Sequence, residues 1–164
     1  MSSLVFRAAA AALLCCGLGA FAQEAPVEVS GAWVRATVPG QGGTGAYMTL
    51  QAPQDLQLVG VSTPVAGVAE VHEMKLEGNT MHMSAIPALA LPAHQRVALA
   101  PGGYHLMLMD LKQALAAGST VALTLRLTDA KGAQFTRTLQ VPVRTGASAG
   151  TTPPGAMQHA GSHR

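Results

Sequence analysis

Short apolar segments of β type, broken every few residues by Gly, Pro, Asn or Asp, run through the chain from residue 27 to residue 143 with little sustained helical periodicity. Strands so short cannot bury a core singly and must pack in layers. Strands are predicted over 27–37, 46–51, 56–62, 69–76, 81–86, 96–99, 105–109, 121–128 and 135–143. The last two flank Asp129-Ala130-Lys131-Gly132, which has the residues of a tight hairpin turn, and 111–117 has room for one or two helical turns. Many short strands at this spacing predict an all-β fold, an antiparallel β-sandwich or barrel. No internal repeat is visible.

The 164 residues suffice for one ordinary domain with a real core. Residues 1–22 read as an export signal: Arg7 supplies positive charge, 8–21 form a short apolar run, and Ala20-Phe21-Ala22 is a small-x-small cleavage pattern that would leave Gln23 as the new terminus. That run is too short for a permanent membrane helix, and no later stretch reaches the roughly 18 uncharged apolar residues one needs, so the mature chain is expected to be soluble. Cys15 and Cys16 both lie in the leader. Lipoprotein processing at either would put Leu14 or Cys15 where a small residue is expected. Cleavage after Ala22 leaves no thiol, and hence no disulfide or thiolate chemistry. Residues 23–145 carry the β domain. From 146 to 164 the composition shifts to Thr, Gly, Ala, Ser and Pro, which can build no core, and this tail is expected to be disordered.

Charged residues make up 11% of the chain and the net charge is +2, which gives no clustered basic face for nucleic acid. HExxH, a carboxylate pair, Gly-x-Ser-x-Gly and a phosphate loop are all missing, so the sequence does not read as an enzyme. An electron-transfer copper site normally needs a Cys thiolate with two His, and a thiol-free mature chain argues against it.

What the domain does carry is a cluster of Met74, Met81, Met83, Met107 and Met109 with His72, His82 and His105. Thioether and imidazole suit copper, above all Cu(I), and a thioether never competes with protons. Hard cations would find almost no oxygen ligands here. If Gly78 and Asn79 turn a hairpin, Met74 lies opposite Met83 and His72 opposite Ala85. His72 and Met83 are then diagonal neighbours about 7 Å apart on one face, with His82 on the other. His105 and Met107 project together on a second strand while Leu106 and Leu108 project into the core, and Gly102-Gly103 lets the backbone turn just before the first of these ligands.

The spacing His72, ten residues, Met83, twenty-one residues, His105, one residue, Met107 resembles the metal signature of the PCu(A)C-type periplasmic copper chaperones. Further likeness runs through Ala32-Trp33-Val34-Arg35-Ala36-Thr37, Ala46-Tyr47-Met48-Thr49-Leu50, Val71-His72-Glu73 and Gly102-Gly103-Tyr104-His105-Leu106-Met107-Leu108, covering most of the mature chain. The resemblance implies a cupredoxin-like Greek-key fold and a periplasmic location. It further implies one Cu(I) held by His72, Met83, His105 and Met107, and delivery to a copper-accepting protein such as a cytochrome oxidase subunit or another copper chaperone. The tail resembles extensions in part of that family, and its Met157, His159 and His163 are candidates for a second, labile Cu(II). Copper storage or detoxification needs the same ligands and is the alternative. A monomer is expected.

Single methionines are more often core filler than ligands, and only the joint pattern with both histidines lifts these above that reading. Met74 or Met81 is able to assist or replace Met83, whereas Met109 reads as packing. His82 and His94 read as ordinary surface histidines, and Glu73 as solvent-facing or orienting a neighbour. Trp33 and Tyr47 read as core aromatics, with shielding of the metal as the alternative.

Overall fold

Along the longer strands nearly every second residue is a buried aliphatic one, and that alternation sets the architecture. The computed structural model describes residues 23–146. It consists of β1 (Gln23–Glu24), β2 (Glu28–Arg35), β3 (Gly43–Gln51), β4 (Leu56–Ser62), β5 (Ala66–Glu77), β6 (Thr80–Ala85), β7 (Leu89–Leu91), β8 (Arg96–Leu99), β9 (His105–Leu111), β10 (Thr120–Asp129) and β11 (Gln134–Arg144). One layer runs β6-β5-β9-β3-β2, with β8 beside β3. The other runs β11-β10-β4-β7, with β1 beside β11. β11 joins the two: its body pairs with β10, while Val143 and Arg144 pair with Val34 and Arg35 of β2.

Val121, Leu123, Leu125 and Leu127 of β10 and Leu56 and Leu58 of β4 meet Val71 of β5, Leu106 and Leu108 of β9 and Leu50 of β3 in one core. This is the cupredoxin-like β-sandwich expected. Most ladders are antiparallel, but β1–β11 and β11–β2 are parallel. These pairings join segments far apart in the chain, where no hairpin dictates direction.

The predicted turn at 129–132 closes the β10–β11 hairpin: Asp129 Oδ1 accepts from the amides of Lys131 at 2.9 Å and Ala133 at 2.8 Å. Helix does not form at 111–117. Leu115 instead exchanges two hydrogen bonds with Thr37, its amide donating to Oγ1 at 2.8 Å and its carbonyl accepting from the Thr37 amide at 3.0 Å. Both of its backbone groups are thereby withdrawn from any helical ladder.

Candidate metal centre

Because Val71, Leu106 and Leu108 point into the core, strand parity sends Glu70, His72 and Met74 of β5 and His105, Met107 and Met109 of β9 to the outer face of their sheet. The antiparallel register sets His72 directly opposite His105, with ring centroids 5.7 Å apart and planes tilted by 52°. Both imidazoles are nearly covered, at 8% and 7% exposure. The β5–β6 hairpin turns at Gly78-Asn79, where Gly78 takes the left-handed φ of +63°. Its register is the predicted one: His72 opposite Ala85, Met74 opposite Met83, Leu76 opposite Met81. His82 opposes Lys75 on the reverse face.

Hydrogen bonds fix which ring nitrogen of each histidine is available. His105 Nδ1 lies 3.2 Å from the carbonyl oxygen of Gly103, and a carbonyl only accepts, so Nδ1 carries the proton and Nε2 the lone pair. His72 Nε2 lies 3.0 Å from Glu70 Oε2, which by the same reasoning puts the single proton of the neutral ring on Nε2. Its Nδ1 is then a buried lone pair with no hydrogen-bond partner. A buried acceptor left unsatisfied costs about 1–3 kcal/mol unless something fills it. Next to a second imidazole whose free nitrogen is also unprotonated, a metal cation is the fitting occupant. Gly103 anchors this corner twice, since its carbonyl also accepts from the Met74 amide at 3.2 Å.

A row of aromatic rings backs the pair. Tyr47 on β3 stands 6.4 Å from His105 by ring centroids, and Trp33 on β2 stands 4.6 Å from Tyr47. Trp33 reaches this face through a bulge: the register slips between Ser30 and Trp33, and Gly31 there has φ +62°. Without the extra residue Ala32 would oppose Tyr47. Gly45 leaves the space the Tyr47 hydroxyl occupies, since a Cβ at that position would overlap it. Trp33 and Tyr47 are thus buried, as expected, but on the outer side of the sheet, where they wall one flank of the histidine pair.

The two predicted sulfur ligands flank the pair from opposite sides. Met83 lies on β6 toward the Met74 end, and is 51% exposed. Met107 lies on β9 opposite Glu70, half-buried. A Cβ on Gly43 would stand 3.2 Å from the Met107 methyl, so this thioether leans along the strand, away from His105. The histidines are brought together; the sulfurs are set on the same face, each at the end of a flexible side chain. Among the described residues, no three His, Cys, Asp or Glu side chains form a group able to hold a metal.

Other candidates sort by parity. Glu73 faces away, paired with Lys75 Nζ at 2.8 Å. The Lys75 hydrogen bond, and then Tyr104, hold its carboxyl below the ordinary 4.5. His94 sits in a turn at φ +61°, its amide bonded to the Ala52 carbonyl. Glu70 went unread in the sequence, although residues 70 and 72 share a strand face and two-residue spacing alone could have suggested the contact. Met157, His159 and His163, and the leader, lie outside the described residues.

Fold and face together define a cupredoxin-like sandwich bearing two imidazoles flanked by thioethers. A family model, LpqE-like ("Putative lipoprotein LpqE-like"), matches residues 27–143. "Putative lipoprotein Lxx21020" of Leifsonia xyli subsp. xyli (strain CTCB07) is 35% identical over 121 residues, covering 72% of this chain and 69% of that protein. Among solved structures, apo-DR1885 from Deinococcus radiodurans aligns with TM-score 0.56 at 33% identity over 89% of this chain and 97% of its own. Its CuI form aligns with TM-score 0.54 at 30% identity, over 79% and 83%. The copper-bound PCuAC domain from PmoF2, at 23% identity, TM-score 0.58 and coverage of 75% and 96%, shows the shared fold. The chain belongs to the LpqE-like family, and the resemblance to the PCu(A)C type drawn from its sequence is borne out.

Proposed function

We propose that this protein is an exported copper chaperone that holds one Cu(I) and passes it to an acceptor. The carrying observation is the orphaned, buried Nδ1 of His72 beside His105, whose Nε2 is free of hydrogen bonding to Gly103. In this reading His72 Nδ1, His105 Nε2 and the sulfurs of Met83 and Met107 are the four donors. The thioethers swing in as the ion binds. All four are neutral, a set that suits a soft monovalent ion and gives little purchase to hard cations. The CuI form of DR1885 and the copper-bound PmoF2 domain support copper as the cargo. Ligand exchange with a partner, without chemical turnover, is the mode of action, and the dinuclear copper centre of cytochrome c oxidase is the destination the family resemblance favours.

Export is in keeping with the lipoprotein names of the relatives. On this reading cleavage follows Ala22, residues 23–145 carry copper in the periplasm as a monomer, and the tail from 146 holds a second, labile Cu(II) through Met157, His159 and His163. Intact-mass measurement of the exported protein tests the cleavage, since a lipid-modified cysteine would show a different mass.

The decisive experiment is anaerobic Cu(I) titration against a chromophoric chelator. Wild type should take up one tightly held ion, and His105→Ala should lose at least about a hundredfold in affinity, as losing one strong donor does. Unchanged affinity would reject the ligand set. Storage or detoxification, the second reading, is separated by mixing the loaded protein with an apo copper-accepting oxidase domain: transfer supports delivery, retention supports storage.

A further inference from the structure

Resting on that reading, we infer that Met74, Met81 and Met83 form a second, all-thioether Cu(I) station on the β5–β6 hairpin, through which the ion enters and leaves the histidine pair. Beyond Met74 the hairpin projects into solvent: every residue from 75 to 85 is exposed. Its two faces are nonetheless chemically segregated. Met74, Leu76, Met81, Met83 and Ala85 share the face continuous with His72, while Glu73, Lys75, Glu77, Thr80, His82 and Ser84 share the reverse. Burial cannot explain the apolar face, because Leu76 is 65%, Met81 47% and Met83 51% exposed. Exposed strand positions would ordinarily be polar, and here three of the five side chains carry sulfur instead.

The register makes these sulfurs neighbours. Met74 and Met83 are directly opposed, and Met81 follows Met83 two residues along the same face. Directly opposed Cβ atoms stand about 5 Å apart and diagonal ones about 7–8 Å, a spacing three long thioethers can close around one ion. No carboxylate, amine or imidazole of the hairpin shares this face beyond His72, so the station offers only soft neutral donors and selects Cu(I) or its d10 analogue Ag(I).

Exposure is graded, from His72 and His105 at 8% and 7% to Met83 and Met81 near half. Met83 belongs to both sites. Each transfer step forms one thioether–copper bond as one imidazole–copper or thioether–copper bond breaks; copper stays monovalent and no thioether proton moves.

The test labels the methionine methyls with carbon-13 and adds Ag(I), with Cu(I) release to a chromophoric chelator followed by stopped flow. The first equivalent should shift the Met83 and Met107 methyls, and the second should shift those of Met74 and Met81. Met74→Leu/Met81→Leu keeps the face apolar but removes two sulfurs. It should slow release about tenfold, while affinity for the first ion stays within about twofold. Unshifted Met74 and Met81 methyls at excess Ag(I), or an unchanged release rate in the double leucine variant, overturns the station. If the wild type binds no Cu(I) at all, the chaperone reading fails instead, and a silent hairpin in a protein that does bind one ion sinks this inference alone.

Discussion

Replacing Glu70 with alanine removes the carboxylate that holds the His72 proton on Nε2 while leaving both imidazoles in place. A hydrogen bond to a charged partner contributes about 1.5–3 kcal/mol in a protected setting. The Glu70 side chain is 44% exposed, so solvent screening cuts this by about half, to roughly 0.75–1.5 kcal/mol, and the expected loss in Cu(I) affinity is about fourfold to tenfold. That falls at or below the lower end of what outer partners of metal-bound histidines contribute. The sign follows from the tautomer: without the carboxylate the proton can occupy Nδ1, and copper must displace it. Glu70→Gln retains an oxygen acceptor but no charge, and should lose only about two- to threefold. The assays are competitive Cu(I) titration and nitrogen-15 NMR of the His72 ring in the metal-free protein, which reads the protonated nitrogen directly. A wild-type His72 with its proton on Nδ1 refutes the tautomer assignment, and so does a loss in Glu70→Gln as large as that in Glu70→Ala, which would make the charge and not the tautomer responsible.

Further outcomes follow from the fold. Leu123→Ala, at a fully buried position between the sheets, should cost about 2–5 kcal/mol in urea unfolding. Asp129→Ala frees two turn amides and should cost about 1–2 kcal/mol in the same measurement, with Cu(I) affinity unchanged. Glu73 has a carboxyl held below 4.5 first by the Lys75 hydrogen bond and then by Tyr104, so its support for the hairpin is present above that value and fades as pH falls through the lowered one. Protection of the β5 and β6 amides relative to their intrinsic exchange rates should therefore fall in acid, and this response should vanish in Glu73→Gln. Gly45→Ala must push Tyr47 aside, and should loosen the His105 ring, seen as broadened His105 signals in an otherwise native spectrum.

Local geometry was readable from the residues themselves. Gly78-Asn79 fixed the hairpin register, and with it Met74 opposite Met83; the Leu106 and Leu108 alternation turned His105 and Met107 outward. What pairing across the fold decides was not readable. β7 is three residues between Pro87 and Pro92 and exists as a strand only because β4 lies beside it. The segment 111–117 has room for one or two helical turns, but the two hydrogen bonds Leu115 exchanges with Thr37, far back in the chain, override them. Trp33 reached the outer face through a one-residue slip at Gly31, invisible to simple alternation. The share of Glu70 in the site depends on which nitrogen of His72 stays bare, and that needs coordinates.

Strand β11 is stitched into both layers, running along β10 for most of its length and crossing to β2 at Val143 and Arg144. Neither layer can peel away without tearing this common seam, so heat should melt the two together in one step. The amides of Val141 and Val143 should then exchange with solvent only when the whole domain opens. The β5–β6 hairpin begins four strands away along the layer, and can fray and reclose there without putting the seam at risk.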